Sequence, residues 1–160
     1  MRKAWMLIGC PGSGKTWWAA KEKEPETTIL SRDEIRIELG LCEEDQKCIG
    51  TKEEEDKVTE IYRERLAKVE GDVILDNTNA NKYFRTQEIQ ELHKLGFHVI
   101  GVKMTTPLDI CLERRKEQIP EDIITRLYRK AQKVDPSEFD EFLLADGKPK
   151  EEVCGGSEKE

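Results

Sequence analysis

The segment GCPGSGKT, residues 9–16, combines glycines, a lysine and a hydroxyl side chain in the spacing of a phosphate-binding loop. It fits the pattern G-x-x-x-x-G-K-[ST] and stands between an apolar run of strand length and a helical pattern. Glycines suit such a loop because its N–H groups must turn inward around phosphates, where Cβ atoms would be in the way. A glycine-rich turn that binds no nucleotide is the alternative, and it agrees less well with this context.

The loop therefore predicts a site for ATP or another nucleoside triphosphate, together with Mg²⁺. We expect Lys15 to contact the β- and γ-phosphates and Thr16 to bind the metal ion. The predicted nucleotide-binding residues of the loop are Gly12, Ser13, Gly14, Lys15 and Thr16.

A second group of chemical interest lies in the segment SRDEIR, where Asp33 follows the second apolar run. The carboxyl ends of parallel strands share one edge of a sheet, so Asp33 can point into the nucleotide site. A carboxylate there can orient an acceptor hydroxyl and take its proton. Arg36, on the same helical face, can hold an anionic part of the acceptor with two N–H groups. The alternative is that Asp33 caps its helix and Arg36 makes a surface ion pair.

The third apolar run ends in the polar segment 75–79, LDNTN. Asp76 occupies a place from which it can hold Mg²⁺ through water. The side chains after it predict a polar ridge for the acceptor, formed by Asn77, Thr78 and Asn79. Arg85, on the following helix, can contact an acceptor phosphate. An Asx-rich turn and a solvated arginine are the alternatives to these two roles.

A basic stretch near residues 113–133 predicts a helical lid. Lids of this kind bring arginines to the charge on a transferring phosphoryl group. Arg114 is best placed at the hinge, with Arg115 or Arg126 behind it. A charged face in contact with solvent is the alternative.

Apolar runs and helical patterns alternate along the chain, which is typical of βαβ units. The alternation predicts an α/β fold with about five parallel strands and helices on both faces. Strands are expected at 4–9, 27–31, 72–79, 97–104 and 142–145, and helices at 15–23, 32–39, 51–69, 81–96, 107–117 and 120–133. Asn81 is the expected N-cap and Gly96 the expected C-cap of one helix, and Pro120 is expected at the first position of another.

The length of 160 residues fits one domain, which we place at 1–146, followed by a disordered acidic tail at 147–160. The net charge of -7 is concentrated in residues 43–64 and 135–160, so a basic groove elsewhere is compatible with it. No apolar run approaches a membrane span or a signal peptide, and we expect a cytoplasmic protein without a membrane partner. Five cysteines without a CxxC spacing predict neither disulfides nor zinc.

Four segments, in this order, resemble the 5′-kinase domain of the phage-type and animal polynucleotide kinases: IGCPGSGKT, SRDEIR, DNTN and IPEDIITRLYRK. The resemblance covers about residues 3–145. It implies a three-layer P-loop kinase fold with a helical lid, and transfer of the γ-phosphate of ATP to a 5′-hydroxyl end of DNA or RNA.

The resemblance also assigns roles to single residues. It implies that Asp33 is the general base and that Arg36 binds the phosphate on the 3′ side of the acceptor nucleotide. Asp76 matches the animal-type DNTN, whereas the phage-type aspartate aligns with Asn77. Of the two lid arginines of the family, Arg114 matches the first, and this chain lacks the second.

Two rival functions remain open from the sequence. A kinase of a small-metabolite hydroxyl could use the same aspartate, but an uncharged acceptor does not need both Arg36 and Arg85. An NTP-binding switch or adaptor needs no base such as Asp33 aimed at a hydroxyl. The sequence predicts no oligomeric state.

Overall fold

The sheet consists of five parallel strands in the order β2-β3-β1-β4-β5. In this computed structural model, which describes residues 1–42 and 50–147, every neighbouring pair is parallel. The strands are β1 (Lys3–Ile8), β2 (Thr28–Leu30), β3 (Val73–Leu75), β4 (His98–Met104) and β5 (Glu141–Ala145). The predicted parallel sheet is confirmed, with β1 at its centre.

Six α-helices connect these strands in the described part of the chain. They are α1 (Lys15–Glu22), α2 (Arg32–Glu38), α3 (Lys52–Ala67), α4 (Lys82–Lys94), α5 (Leu108–Arg115) and α6 (Glu121–Ala131). A short 3₁₀ turn at Pro136–Glu138, which the sequence did not predict, precedes β5. Most of the predicted loop at 41–51 lies outside the described residues.

Helix starts follow from capping side chains. Thr51 accepts a hydrogen bond from the Glu54 N–H while the Glu54 carboxylate accepts one from the Thr51 N–H, so α3 begins with a capping box. Asn81 caps α4, as predicted. At the other end of α4 the C-cap is Leu95, and Gly96 follows it with a φ of 90°. Pro120 is the N-cap of α6 rather than its first helical residue.

Side chains alternate along β1 and divide the core into two layers. Met6 and Ile8 pack with apolar residues of α2, α3 and α4 on one face of the sheet. Trp5 and Leu7 point to the other face, where they pack with Trp18 of α1. Helices therefore cover both faces, and the fold has the predicted three layers.

Helices α5 and α6, which contain the predicted lid, share a third apolar cluster. This cluster joins Cys111, Ile119 and Ile124 to Cys10, a residue of the phosphate-binding loop. The lid region is thus packed against the start of the nucleotide site.

Cys42 is disulfide-bonded, so the prediction that the chain forms no disulfide is wrong. Sequence spacing does not show which cysteine Cα atoms approach within bridging distance. An odd number of cysteines does not exclude a disulfide between two of them. Cys10 and Cys111 are buried free thiols. Across residues 1–42 and 50–147, the structure holds no helix of the length and apolarity that a membrane crossing requires.

Candidate active site

The phosphate-binding loop turns sharply between β1 and α1. Gly12 and Gly14 have φ angles of 86° and 90°, a region that favours glycine. Space also requires glycine, because a Cβ on Gly12 would lie 2.7 Å from the backbone oxygen of Cys111. A Cβ on Gly14 would overlap the backbone of Gly147. The loop is therefore enclosed by α5 on one side and by the segment after β5 on the other.

Lys15 and Thr16, at the start of α1, face the end of β3. The Thr16 hydroxyl donates a hydrogen bond to the Asp76 carboxylate over 2.9 Å, and the Lys15 ammonium donates to the Cys10 carbonyl over 3.0 Å. Burial lowers the pKa of Lys15, and burial raises the pKa of Asp76. The two charges oppose these shifts by attracting each other. A hydroxyl and a carboxylate in contact beside a lysine form a suitable ligand set for Mg²⁺ and phosphates.

Two buried polar groups near the loop have no hydrogen-bond partner among the described residues: the Ser13 hydroxyl and the Nε of Arg115. Leaving such groups unsatisfied costs about 1–3 kcal/mol each. A phosphate bound at the loop would supply oxygen acceptors to groups of this kind. The Ser13 and Arg115 side chains therefore fit the predicted nucleotide.

The predicted lid arginines have different environments. The Arg114 guanidinium donates to the Gly12 carbonyl over 2.9 Å and to the Gly147 carbonyl over 3.4 Å, so it lies at the loop. Arg115 also approaches the loop, since its Cγ would lie 3.0 Å from a Cβ on Gly12. Arg126 is exposed on α6. The structure thus brings Arg114 and Arg115 to the nucleotide side and leaves Arg126 at the surface.

Asp33 lies in the first turn of α2, and its side chain is 63% exposed. Its charge acts on the loop side of the site, because Asp33 adds to the effect of burial in raising the pKa of Asp76. It also works against the burial that lowers the pKa of Lys15. The cap of α2 is Ser31, whose hydroxyl accepts a hydrogen bond from the Glu34 N–H, so Asp33 is not the helix cap.

Arg36 is held by two carboxylates. Its guanidinium forms a bidentate pair with Glu55 of α3, at 3.0 and 2.6 Å, and donates to Asp33 over 2.7 Å. These bonds outweigh burial and raise the pKa of Arg36. Sequence reasoning missed Glu55, because nothing in the charged pattern of α3 distinguishes it from its acidic neighbours.

The predicted polar ridge after β3 is engaged mostly within the fold. Asn77 accepts a hydrogen bond from the Arg32 N–H over 2.8 Å and donates to the Tyr62 hydroxyl over 3.1 Å. The Thr78 carbonyl accepts from the Gly9 N–H over 3.1 Å. Asn79, with a φ of 48°, donates to the Leu7 carbonyl over 2.7 Å. These bonds fix the ends of β1, β2 and β3 relative to one another.

Arg85 does not match its predicted role in contacting an acceptor phosphate. It is only 2% exposed, and its guanidinium forms a bidentate pair with Glu138 at 2.8 and 3.0 Å. It also donates to the backbone carbonyls of Asn79 and Ala80. An acceptor would have to displace Glu138 from a buried pair to reach it.

A cavity of about 660 Å³ lies between α2, α3, α4 and the end of β3. We call it the α2–α4 cavity. Tyr62 belongs to its lining. The charged residues of the lining are five basic side chains, Arg32, Arg36, Arg63, Arg85 and Lys94, and three acidic ones, Glu55, Glu88 and Glu91. The Arg32 guanidinium lies 4.5 Å from the centre of the Tyr62 ring. The periodicity of α3 predicted Tyr62 as a core residue, but not that it would underlie a cationic cavity.

Residues 5–143 match a protein family described as the AAA domain. The chain belongs to this family. Among solved structures, this AAA domain protein is similar to a chain of the Pnkp1/Rnl/Hen1 RNA repair complex, with a TM-score of 0.66 and 19% identity over 82% of this chain. The match covers 44% of that chain, so the AAA domain protein spans less than half of its length.

Two further similar structures have lengths closer to that of this AAA domain protein. One is a gluconokinase from Sinorhizobium meliloti 1021, with a TM-score of 0.59 and 15% identity over 96% of this chain and 89% of that one. The other is a tunicamycin resistance protein from Deinococcus radiodurans, with a TM-score of 0.58 and 17% identity over 98% and 95% of the two chains. At these identities the likenesses show the fold, which is that of a P-loop kinase.

Proposed function

We propose that this protein is a polynucleotide kinase that transfers the γ-phosphate of ATP to a 5′-hydroxyl end of DNA or RNA. The observation that carries the proposal is the position of Asp33. It is an exposed carboxylate whose charge reaches Lys15 and Asp76, and its partner Arg36 lines the α2–α4 cavity. The proposal is supported by the closeness of this carboxylate to the phosphate-binding loop and by its bond to Arg36, a residue of the cavity lining.

On the donor side, the loop N–H groups and Lys15 bind the phosphates of the nucleotide. Thr16 and Asp76 would hold Mg²⁺, which supplies neutralisation of charge on the phosphate oxygens when it is bound. Arg114 and Arg115 approach the loop from α5 and add positive charge there. These residues position the γ-phosphate, and positioning with charge stabilisation is the main requirement of phosphoryl transfer.

On the acceptor side, Asp33 accepts the proton of the 5′-hydroxyl as that oxygen attacks the γ-phosphorus, while the bond to the β–γ bridging oxygen breaks and ADP leaves. Arg36 binds the phosphate that follows the first nucleotide of the acceptor. A guanidinium suits this task because its N–H groups match two oxygens of a phosphate. Since Glu55 already occupies that fork, acceptor binding requires exchange of one anionic partner for another.

A second candidate is a kinase of a small-metabolite hydroxyl. Its support comes from the near-complete overlap in length with the gluconokinase and the tunicamycin resistance protein. The five basic residues that line the α2–α4 cavity outnumber its three acidic ones, and this balance favours an anionic acceptor over a neutral one. We therefore place this candidate second.

The test is transfer of label from γ-labelled ATP, with Mg²⁺, to a 5′-hydroxyl oligonucleotide and to the same oligonucleotide already 5′-phosphorylated. We expect label on the 5′-hydroxyl strand alone. Asp33→Asn should lower kcat by about 10²- to 10⁴-fold, the usual contribution of a general base, and leave ATP affinity unchanged. Glu34→Gln, which removes the neighbouring exposed carboxylate, is the matched control and should keep full activity.

Tight ATP binding without transfer to DNA or RNA would refute the polynucleotide proposal. Transfer to a sugar or nucleoside hydroxyl in the same assay, again lost in Asp33→Asn, would establish the second candidate instead.

A further inference from the structure

Tyr83 and Phe84, in the first turn of α4, form an exposed aromatic pair. Their side chains are 66% and 64% exposed, and their rings meet edge to face with centres 5.4 Å apart. They are the aromatic members of the set of large apolar side chains that the described residues leave exposed. Adjacent exposed aromatics on a rigid helix are typical of a binding surface.

The backbone holds this pair in place. The Asn81 side chain accepts a hydrogen bond from the Phe84 N–H over 3.1 Å, which fixes the start of the helix. The next residue, Arg85, is anchored in the core by its bidentate pair with Glu138. Because Arg85 points inward, Phe84 is held on the outside of the same turn. The backbone of this turn is therefore already ordered before a ligand binds.

Phe84 lies at the α2–α4 cavity and lines it together with Arg32 and Arg36. The first turn of α4 contains no acidic residue and begins with Lys82. Three glutamates also line the cavity, but its five basic residues outnumber them, so a polyanion that reaches the aromatic pair meets a net positive lining. Positive charge along a groove, combined with an exposed aromatic face, is how proteins bind single-stranded nucleic acid.

We propose that Phe84, supported at its edge by Tyr83, stacks on a base of the acceptor strand while Arg36 holds the backbone. This inference rests on the proposed kinase function and narrows its substrate to a single-stranded or frayed 5′ end, whose bases are free to stack. Every base has a π-face, so the platform accepts strands of any sequence. A sugar or other polyol offers no such face.

The experiment compares steady-state kinetics on a 5′-hydroxyl oligonucleotide and on one whose 5′-terminal nucleotides lack bases. Phe84→Ala should raise KM for the intact strand by about tenfold, within the range for loss of one stacking aromatic, with kcat nearly unchanged. Phe84→Trp should retain the wild-type KM. On the strand without bases, all three proteins should have the same KM. Leu144→Ala removes an apolar side chain of equal exposure, 64%, on β5, and should leave KM unchanged for both strands.

An unchanged KM for Phe84→Ala on the intact strand, in an active kinase, would overturn the stacking proposal and leave the kinase proposal standing. Failure of the kinase proposal would appear differently, as absence of transfer by the wild type. In that case, fluorescence anisotropy of a labelled single strand measures binding directly. Equal affinities of wild type and Phe84→Ala for the strand would overturn the stacking proposal. If Phe84→Ala instead dissociates a dimer in light scattering, with strand affinity unchanged, the pair covers a second copy and the proposal is wrong.

Discussion

At the scale of single residues, Tyr62 and Glu88 form a polar pair under the α2–α4 cavity. The Tyr62 hydroxyl donates to the Glu88 carboxylate over 2.6 Å and accepts from the Asn77 amide over 3.1 Å. Burial raises the pKa of Tyr62, and burial also raises the pKa of Glu88, although the bond from Tyr62 and the charge of Arg32 oppose the shift of Glu88. The ionised form of Glu88 is therefore disfavoured in the folded protein.

This shift predicts a pH dependence of stability. A carboxyl whose pKa is higher in the folded than in the unfolded state binds more protons when folded, so the free energy of unfolding falls as pH rises through that window. Glu88→Gln keeps an oxygen acceptor for Tyr62 and cannot ionise. We expect the variant to gain stability relative to the wild type as pH increases from below the ordinary glutamate value towards neutrality. Urea unfolding at a series of pH values measures this difference, and a constant difference would contradict the expectation.

Sequence alone predicted that residues of the phosphate-binding loop and of the end of β3 would lie together. Strand ends in a parallel sheet lie together, which is why Asp76 meets Thr16 and lies within reach of the charge of Lys15. The position of a strand end does not predict the partner of Arg85, because Glu138 lies 53 residues away along the chain. A helical arginine looks the same in sequence whether it meets solvent or a distant carboxylate.

At the scale of elements, α2 and α3 are joined across the mouth of the cavity by Arg36 and Glu55. The Arg36 side chain is 14% exposed and that of Glu55 35% exposed, so the pair is partly shielded from water. Glu55 competes with any anion that binds Arg36. In the proposed kinase, Glu55 of α3 would therefore compete with the acceptor phosphate for Arg36.

Removing this competitor should improve acceptor binding. We expect Glu55→Gln to lower KM for a 5′-hydroxyl oligonucleotide by about two- to fivefold, as for an ion pair worth up to about 1 kcal/mol. Glu53→Gln, on the exposed face of α3, is the matched control. Initial-rate kinetics at fixed ATP provide the measurement, and an equal or higher KM in Glu55→Gln would show that Glu55 does not compete.

Long elements were more predictable than short ones. A capping residue and several turns of sequence predict helices α3 and α4, and both lie near their predicted bounds. The 3₁₀ turn at Pro136–Glu138 has three residues, too few for any period, yet it supplies the partner of Arg85. Segments of this length are determined by tertiary contacts rather than by local sequence.

At the scale of the whole molecule, the segment that follows β5 packs against the phosphate-binding loop near the start of the sequence. Gly147, after β5, is buried against the phosphate-binding loop, and a Cβ there would overlap the Ser13 carbonyl oxygen. The predicted tail at 147–160 otherwise lies outside the described residues. The nucleotide site is thus closed by a segment far from the loop in sequence, which no local motif indicated.

Gly147→Ala should therefore disturb the loop. Overpacking typically costs about 1–3 kcal/mol, and we expect ATP affinity to fall by about tenfold because the loop or the segment must move. Gly40→Ala, which meets no atom within 4 Å but has a φ of 75°, should reduce stability and leave ATP affinity intact. Isothermal titration calorimetry with ATP and Mg²⁺ measures the ATP affinity of both variants and so distinguishes Gly147→Ala from Gly40→Ala. Wild-type affinity in Gly147→Ala would show that the contact does not shape the site.

The central position of β1 also affects how the protein is made. Of the five strands, β1 leaves the ribosome before the others, but its two sheet neighbours, β3 and β4, begin at Val73 and His98. At about 5–20 residues per second, β3 emerges roughly 3–13 seconds after β1. Throughout that interval the apolar strand has no partner on either side. Of the five strands, the central one therefore stays unpaired for the longest time during synthesis. Residues 3–8 remain an unpaired apolar segment of the nascent chain until β3 has emerged.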